Sequence, residues 1–528
     1  MKKIFLYLVM TFHLSIVSSQ PGMTPDRRAD VEHYEFNLSL SDTSDVINGE
    51  TRITVRFREP MQEFRIDLDN VRPDGKGMLV SSLLCNGKEA VWEHSGNKVI
   101  LRDCSPGLSE IVISYSGIPS DGLIISKNRF GNRTFFADHW PDRASAYLPV
   151  VDHPSDKAAV DFIITAPSHY EVVGSGELVE ESDMPGGLKL THWKEVCPLA
   201  VKVMAFAAAD FAVQMAGRVD SVPVWSWVYP ENREAGFYDY SVALKPVRFY
   251  SELIGPYPYS KLANVQSKTI FGGLENAGCI FYSERSVTGE GKAEKLIAHE
   301  IAHQWFGNSV TEGDWHHVWL SEGFATYLTS VYEEMNYGKE RLAENMAADR
   351  SRVLRSSERT ARPVIDTTIK NLMQLLNTNS YQKGAWVLHM LRYEVGEESF
   401  WKGMQHYYEN FRNGNAVTDD FKKTMEEASG KDLGIFFRQW LYVAGEPELK
   451  ISLVPQKKND YSEIVVEQLQ DHIFSFRLTI LIKGQGKETK VVMPVTEKKS
   501  VLTVKASPDA VMTVDPEVRL LYRAAGIK

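Results

Sequence analysis

Cysteine is nearly missing from this chain: four residues in 528, at positions 85, 104, 197 and 279. Four are too few to frame a chain of this size with disulfides, and none stands at metal-ligand spacing. Cys85 and Cys104 flank a short β-like stretch and are placed to pair, although free buried thiols suit both positions equally. Positive charge is also in deficit. Lys and Arg number 59 against 69 Asp and Glu, a formal net charge of −10. That balance argues against a nucleic-acid partner, which needs a basic surface. Beyond residue 17 no apolar run approaches the ~20 residues of a membrane-spanning helix. Internal repeats, low-complexity tracts and long linkers are absent as well. Histidine is scarce, with 14 residues, so a cluster of histidines carries information.

What remains is ordinary globular material, 43% hydrophobic and 24% charged, long enough for two to four domains and a large core. The first twenty residues stand apart. Lys2-Lys3 precedes an apolar run from Ile4 to Val17 and then Ser18-Ser19-Gln20, the three parts of a secretory signal peptide with cleavage after Ser19. The run is too short to span a bilayer permanently. No cysteine lies near the cleavage point, which leaves a bacterial lipoprotein anchor without an attachment residue. Loss of Lys2 and Lys3 takes the formal charge from −10 to −12. The expectation is an exported protein, periplasmic or extracellular, without a membrane span.

The chemistry concentrates between Glu294 and Leu328. His299-Glu300-Ile301-Ala302-His303 is H-E-x-x-H. Residues four apart share one face of a helix, so His299 and His303 can direct two imidazoles at one metal ion, with Glu300 one residue round the turn and able to reach a water there. Leu296, Ile297, Ile301 and Trp305-Phe306 supply an apolar stripe of helical spacing, and Gly307-Asn308 reads as the helix stop. A catalytic zinc site takes three protein ligands and keeps a fourth position open. A third histidine six residues after His303 would need Gly at 306 and His at 309, where Phe306 and Ser309 stand. The other common solution is a glutamate from a following helix. Glu322, in Leu320-Ser321-Glu322-Gly323-Phe324-Ala325, opens an apolar, helix-like run to about Met335, with eighteen residues between it and His303.

His299 to Tyr327, including Trp315, Trp319, Leu320, Glu322 and Gly323, resembles the gluzincin aminopeptidases, the family of aminopeptidase N and the leukotriene hydrolases. The resemblance implies Glu322 as third zinc ligand; the family's Asn-Glu-Gly reads Ser321-Glu322-Gly323 here. Upstream, Gly272-Gly273-Leu274-Glu275-Asn276 stands where the family has Gly-Ala-Met-Glu-Asn. An exopeptidase must recognise a free α-amine, and a carboxylate near the metal is a charge-assisted acceptor for it, a role that falls to Glu275. Gly272, Gly273 and Asn276 belong to the backbone along which substrate lies as an added strand, and Leu274 lines the pocket for the first side chain. The family's Tyr-x-Lys-Gly is Tyr381-Gln382-Lys383-Gly384, which assigns Tyr381 as the oxyanion donor. In the family a loop residue ahead of the Leu148–Ala158 block helps hold the substrate's N-terminus; Asp138 is the nearest match. Within that block Asp152, His153 and Asp156 suggest a second site, but a Pro-rich structural turn is the favoured reading. His389, on an apolar helix, reads as a core histidine.

The fold class expected is multidomain α+β. An N-terminal β domain occupies 20–217, on the evidence of alternation such as Ile53, Val55 and Phe57 against Arg52, Thr54 and Arg56. A thermolysin-like mixed α/β zinc domain occupies 218–445. A C-terminal β-sandwich fills 446–528, with Phe474 to Ile482 alternating into Gly484-Gln485-Gly486 and a return strand from Val491. Many relatives continue into a large helical domain, and the sequence leaves no room for one, which predicts a more open cleft. The reading is a zinc aminopeptidase acting on peptides with a free N-terminus: His299, His303 and Glu322 hold one Zn2+ and Glu300 is general base. The rivals are a thermolysin-like endopeptidase, an epoxide hydrolase as in the leukotriene branch, and a catalytically inactive peptide-binding relative. Oligomeric state is not encoded in any motif.

Overall fold

The computed structural model describes residues 25–527 apart from 457–460 and 485–486. The expected signal peptide lies outside the described residues, as do Gln485 and Gly486 of the expected C-terminal turn. The N-terminal region is β throughout. Its main sheet has eight strands, and at its centre Ala29–Ser39 runs parallel to Lys157–Pro167 and antiparallel to Ile47–Phe57. Along Ile47–Phe57 burial alternates residue by residue, with Ile53, Val55 and Phe57 inside. That is what period-two patterning on a half-buried sheet requires. A four-stranded sheet packs with it, ending at Phe206–Ala209.

The next strand, Ala212–Val219, already pairs with Val222–Val228 in the five-stranded sheet of the catalytic region. The boundary expected at 217/218 therefore cuts a strand; the β domain's own sheets end about eight residues earlier, at Ala209. The catalytic sheet runs inward from Ala212–Val219 to a two-residue edge strand, Gly273–Leu274, antiparallel to Cys279–Ser283. Helices follow. Glu294–Ala302 carries His299 and is capped by His303, Trp319–Tyr337 carries Glu322, and Gly384–Val395 is entered through a π-helical turn over Asn379–Lys383. The C-terminal region is β-rich, with sheets of four and three strands; its return strand begins at Lys487, earlier than expected. All four cysteines are free. Cys85 and Cys104 end strands of two different sheets. Among the described residues no helix is long and apolar enough to cross a membrane.

Candidate active site

The histidine helix is shorter than its sequence suggested. It ends at Ala302, and His303 is its C-cap, still right-handed in conformation. From there the chain coils through tight turns, and Gly307 adopts φ +119°, so the expected stop belongs to the loop beyond. A Cβ at 307 would stand 2.3 Å from Ser321 Oγ and 3.0 Å from His303 Nδ1. The glycine thus leaves space for a contact that does form: Ser321 Oγ lies 3.0 Å from His303 Nδ1, with the Phe306 carbonyl 3.3 Å away on the same nitrogen. Both partners are acceptors for an Nδ1–H, which leaves Nε2 free for a metal.

That Nε2 points at the other two candidates. It is 3.2 Å from His299 Nε2 and 3.3 Å from Glu322 Oε2, and His299 Nε2 is 3.6 Å from the same oxygen. Glu322 Oε2 is buried without a hydrogen-bond partner. Two imidazole nitrogens and an orphaned carboxylate oxygen converging in the interior fit a divalent cation. Among the described residues this is the only His/Cys/Asp/Glu group with metal-holding geometry. The electrostatics agree. Burial works against a proton on His303, but the Glu322 carboxylate outweighs it and holds the imidazole at about 9. On Glu322 burial would raise the pKa, and the two imidazoles instead hold it well below the usual carboxylate range.

The cavity over this triad has a volume of about 240 Å³. Glu300 faces it, 4% exposed, its carboxyl pushed well above the ordinary value by burial and then by Glu275 and Glu322. Gly273 matters here, because a Cβ at that position would stand 2.3 Å from Glu300 Oε1. Glu275 and Leu274 line the same space, and Glu275 Oε1 is buried and unpartnered. Gly272 is exposed at the edge strand with open space where a Cβ would stand. Tyr381 comes from the π-helical turn, its ring stacked 6.1 Å from that of His299. Burial, with Glu322 and Glu275 nearby, keeps its hydroxyl protonated.

Two sequence assignments need correction. Asp138 is wholly buried and outside the cavity, its carboxylate paired with Arg143 and accepting from Thr269 Oγ1 (2.8 Å) and the Ile270 N–H (3.1 Å). It anchors the segment leading into the edge strand and has no oxygen left for substrate. Asn276 is wholly buried behind the cavity and does not line it. Other residues went unnoticed. Gln304 donates to the Glu275 carbonyl (2.9 Å) and accepts from the Gly278 N–H (2.8 Å), and Asn308 Nδ2 donates to the Glu275 carbonyl as well (2.5 Å). These side chains fasten the edge strand to the end of the histidine helix. Their one sequence signal was proximity to His303. Trp140, Phe271, Leu296 and Leu376 complete an apolar wall. His389 is a core histidine as expected, bonded to the Val518 carbonyl at 3.0 Å.

A buried two-histidine, one-glutamate centre beside a short edge strand and a third carboxylate defines a gluzincin-type metallopeptidase. Comparison with known proteins agrees: residues 238–440 match the Peptidase family M1 domain. "Probable aminopeptidase 2" of Sulfurisphaera tokodaii is 25% identical over 446 residues, covering 80% of this chain and 54% of its own length. "Leucyl aminopeptidase" of Saccharolobus solfataricus is 23% identical, covering 86% of this chain and 59% of its own. Among solved structures, an M1 zinc metallopeptidase from Deinococcus radiodurans superposes with TM-score 0.68 at 25% identity, over 80% of this chain and 96% of that one. Aminopeptidase A of Legionella pneumophila, at 17% identity, shares the fold with TM-score 0.82 over 94% of this chain and 59% of that one. Residues 238–440 are thus similar to the Peptidase family M1 domain, and the relatives matched over most of the chain are aminopeptidases by name. The chain spans about half the length of the curated relatives it matches.

Proposed function

We propose that this chain is a zinc-dependent aminopeptidase that removes the N-terminal residue from peptides. The observation that carries the reading is Glu275: a buried, unpartnered carboxylate oxygen on the wall of the cavity that holds the metal triad. An endopeptidase has no use for it, whereas an α-ammonium is its natural partner. His299, His303 and Glu322 would hold the ion, a nitrogen-rich donor set that suits zinc. When bound, zinc supplies Lewis-acid activation of water and of the scissile carbonyl.

The chain's own residues do the rest. Glu300 takes a proton from the attacking water as the new C–O bond forms. It hands that proton to the leaving nitrogen as the C–N bond breaks. The Tyr381 hydroxyl donates to the oxygen on which negative charge develops. Glu275 would fix the ammonium so that the first peptide bond lies in the cavity lined by Glu300 and Tyr381, and Gly272 and Gly273 let substrate backbone approach the edge strand. The apolar wall around Leu274 receives the first side chain. The three-part pattern of residues 1–19 supports export of this activity to the periplasm or outside the cell.

The deciding test is hydrolysis of Ala, Leu, Met, Arg and Glu p-nitroanilides beside N-acetylated controls, before chelation, after it and after zinc restoration. Zinc-restorable cleavage of the free-amine substrates alone, lost in Glu300→Gln, is expected. Cleavage of the blocked controls would remove the role given to Glu275 and favour an endopeptidase. Silence with zinc bound would point to an inactive peptide-binding relative.

A further inference from the structure

A second cavity, of about 870 Å³, lies between the N-terminal β domain and the catalytic domain. It shares no lining residue with the metal cavity. The wall between them is aromatic: Trp315 lines one and Trp140 the other, their rings edge to face at 6.0 Å. The size is that of an ordinary small-molecule site.

Its charges do not balance. Of the acids that line it, Asp26, Glu63 and Asp67 are paired with Arg28, Arg65 and Lys98. Asp142, Asp152 and Asp156 have no ion pair among the described residues, and the one lining cation left over is Lys370. Asp152 accepts the Ser145 N–H on Oδ2 at 3.0 Å, while its Oδ1 is buried without a partner; Asp156 Oδ1 is in the same condition. Burial pushes both carboxyls up to about 7, and the nearby Lys98, itself paired with Asp67, does not offset it at Asp152.

His153 adds a donor. It is 6% exposed, and its Nδ1 is engaged by Ser155, whose Oγ lies at 2.8 Å and whose N–H lies at 3.2 Å, so that Nε2 is the nitrogen left to donate. That nitrogen is buried with no acceptor. Unsatisfied buried groups of this kind are rare in folded proteins, and three of them within five residues call for a ligand. The carboxyls ask for a cation, and the imidazole N–H asks for an acceptor beside it. A single small ion does not suit them, since among the described residues only the His299, His303 and Glu322 group has metal-holding spacing.

We propose that this interdomain cavity is a second binding site, in which Asp142, Asp152 and Asp156 take the ammonium or guanidinium group of a basic peptide residue and His153 donates to an adjacent carbonyl. The Pro-rich segment Leu148–Ala158 is then both a structural turn and a recognition element. The site is independent of the reaction assigned to the metal cavity.

The test is isothermal titration of the zinc-loaded protein with N-acetyl-L-argininamide, which carries the guanidinium and carbonyls but no free amine for Glu275. Saturable one-site binding is expected, with no binding of N-acetyl-L-leucinamide. Asp152→Asn should weaken it tenfold or more and Asp142→Asn, at the exposed mouth, several-fold, with p-nitroanilide hydrolysis unchanged. The second variant decides the matter should the first fail to fold. Absence of saturable binding, equal binding by both variants and the wild type, or equal displacement by Mg2+ would overturn the proposal.

Discussion

Ser321 stands where the family has asparagine, and at the level of single residues it is the most consequential departure. Its hydroxyl is 3.0 Å from His303 Nδ1, and both residues are 1% exposed. Partners on the far nitrogen of a ligand histidine fix its tautomer and typically change metal affinity ~10–100-fold. Ser321→Ala leaves only the longer Phe306 contact, so we expect zinc to be lost to a competing chelator at about tenfold lower chelator concentration; unchanged retention would deny Ser321 the positioning role. Gly307→Ala should act on the same pair by displacement. A second residue governs stability. His139 is wholly buried, donating from Nδ1 to the Val201 carbonyl (3.3 Å) and accepting the Tyr147 hydroxyl on Nε2 (2.8 Å). Burial holds its pKa at about 3. Below about 6.5 the unfolded chain takes up a proton that the folded chain refuses, so stability falls as pH drops from 6.5 towards 3. The loss from this residue between about pH 7 and pH 5 is ~2 kcal/mol. Urea titrations should show a shallower decline over that range in the non-titrating His139→Gln, and parallel declines would refute the assignment.

Among elements, the decisive contact is between the helix Trp319–Tyr337 and the turn and helix that follow Asn379. A Cβ on Gly323 would stand 2.9 Å from the backbone of Gly384, and one on Gly384 3.0 Å from Gly323 Cα. Backbone meets backbone there, and the approach is what brings Tyr381 into the same cavity as Glu322. Neither glycine has a side chain to yield, so Gly323→Ala must separate the elements, at an overpacking cost of ~1–3 kcal/mol. We expect turnover to fall at least tenfold with zinc still bound, while Gly526→Ala, in open space, changes neither quantity. Full activity in Gly323→Ala would dismiss the contact. This crossing also marks the limit of what the sequence discloses. Helical periodicity and the four-residue spacing of His299 and His303 are local, and so was the pairing of alternating residues with strands. The Gly323–Gly384 approach joins positions about sixty apart and leaves no periodic trace. Asp138 was misread in part for the same reason: Arg143, which pairs with one oxygen, is only five residues away, but the partners of the other oxygen at 269 and 270 are remote in sequence. The end of the histidine helix was placed too late because Trp305 and Phe306 continue the apolar pattern while packing from a coil.

In the whole molecule, the β domain does more than flank the catalytic one. Lys157, from the strand Lys157–Pro167, crosses the junction and donates to three carbonyls, those of Asn308 (3.0 Å), Ser309 (2.9 Å) and Gly414 (3.2 Å). An ammonium has three donors, and here each has an acceptor. Beside it Lys202 pairs with Glu312, both wholly buried. Asn308 and Ser309 belong to the loop that follows His303, and the Asn308 side chain holds the Glu275 carbonyl. The β domain is therefore connected, through one lysine and one loop, to the residue assigned to the substrate's amine. Lys157→Met keeps the length and apolar stem of the side chain but leaves three carbonyls without their donor, each worth ~1 kcal/mol or more when buried. Two changes should appear together: a loss of a few kcal/mol in denaturant stability, and faster amide exchange confined to residues 308–312 and 414–416. Because the metal ligands are untouched while the support of Glu275 is loosened, KM for free-amine substrates should rise several-fold with zinc content unchanged. A fall in kcat at constant KM would instead place the effect on Glu300, and an unaltered exchange pattern would show that the two domains are held together by other contacts.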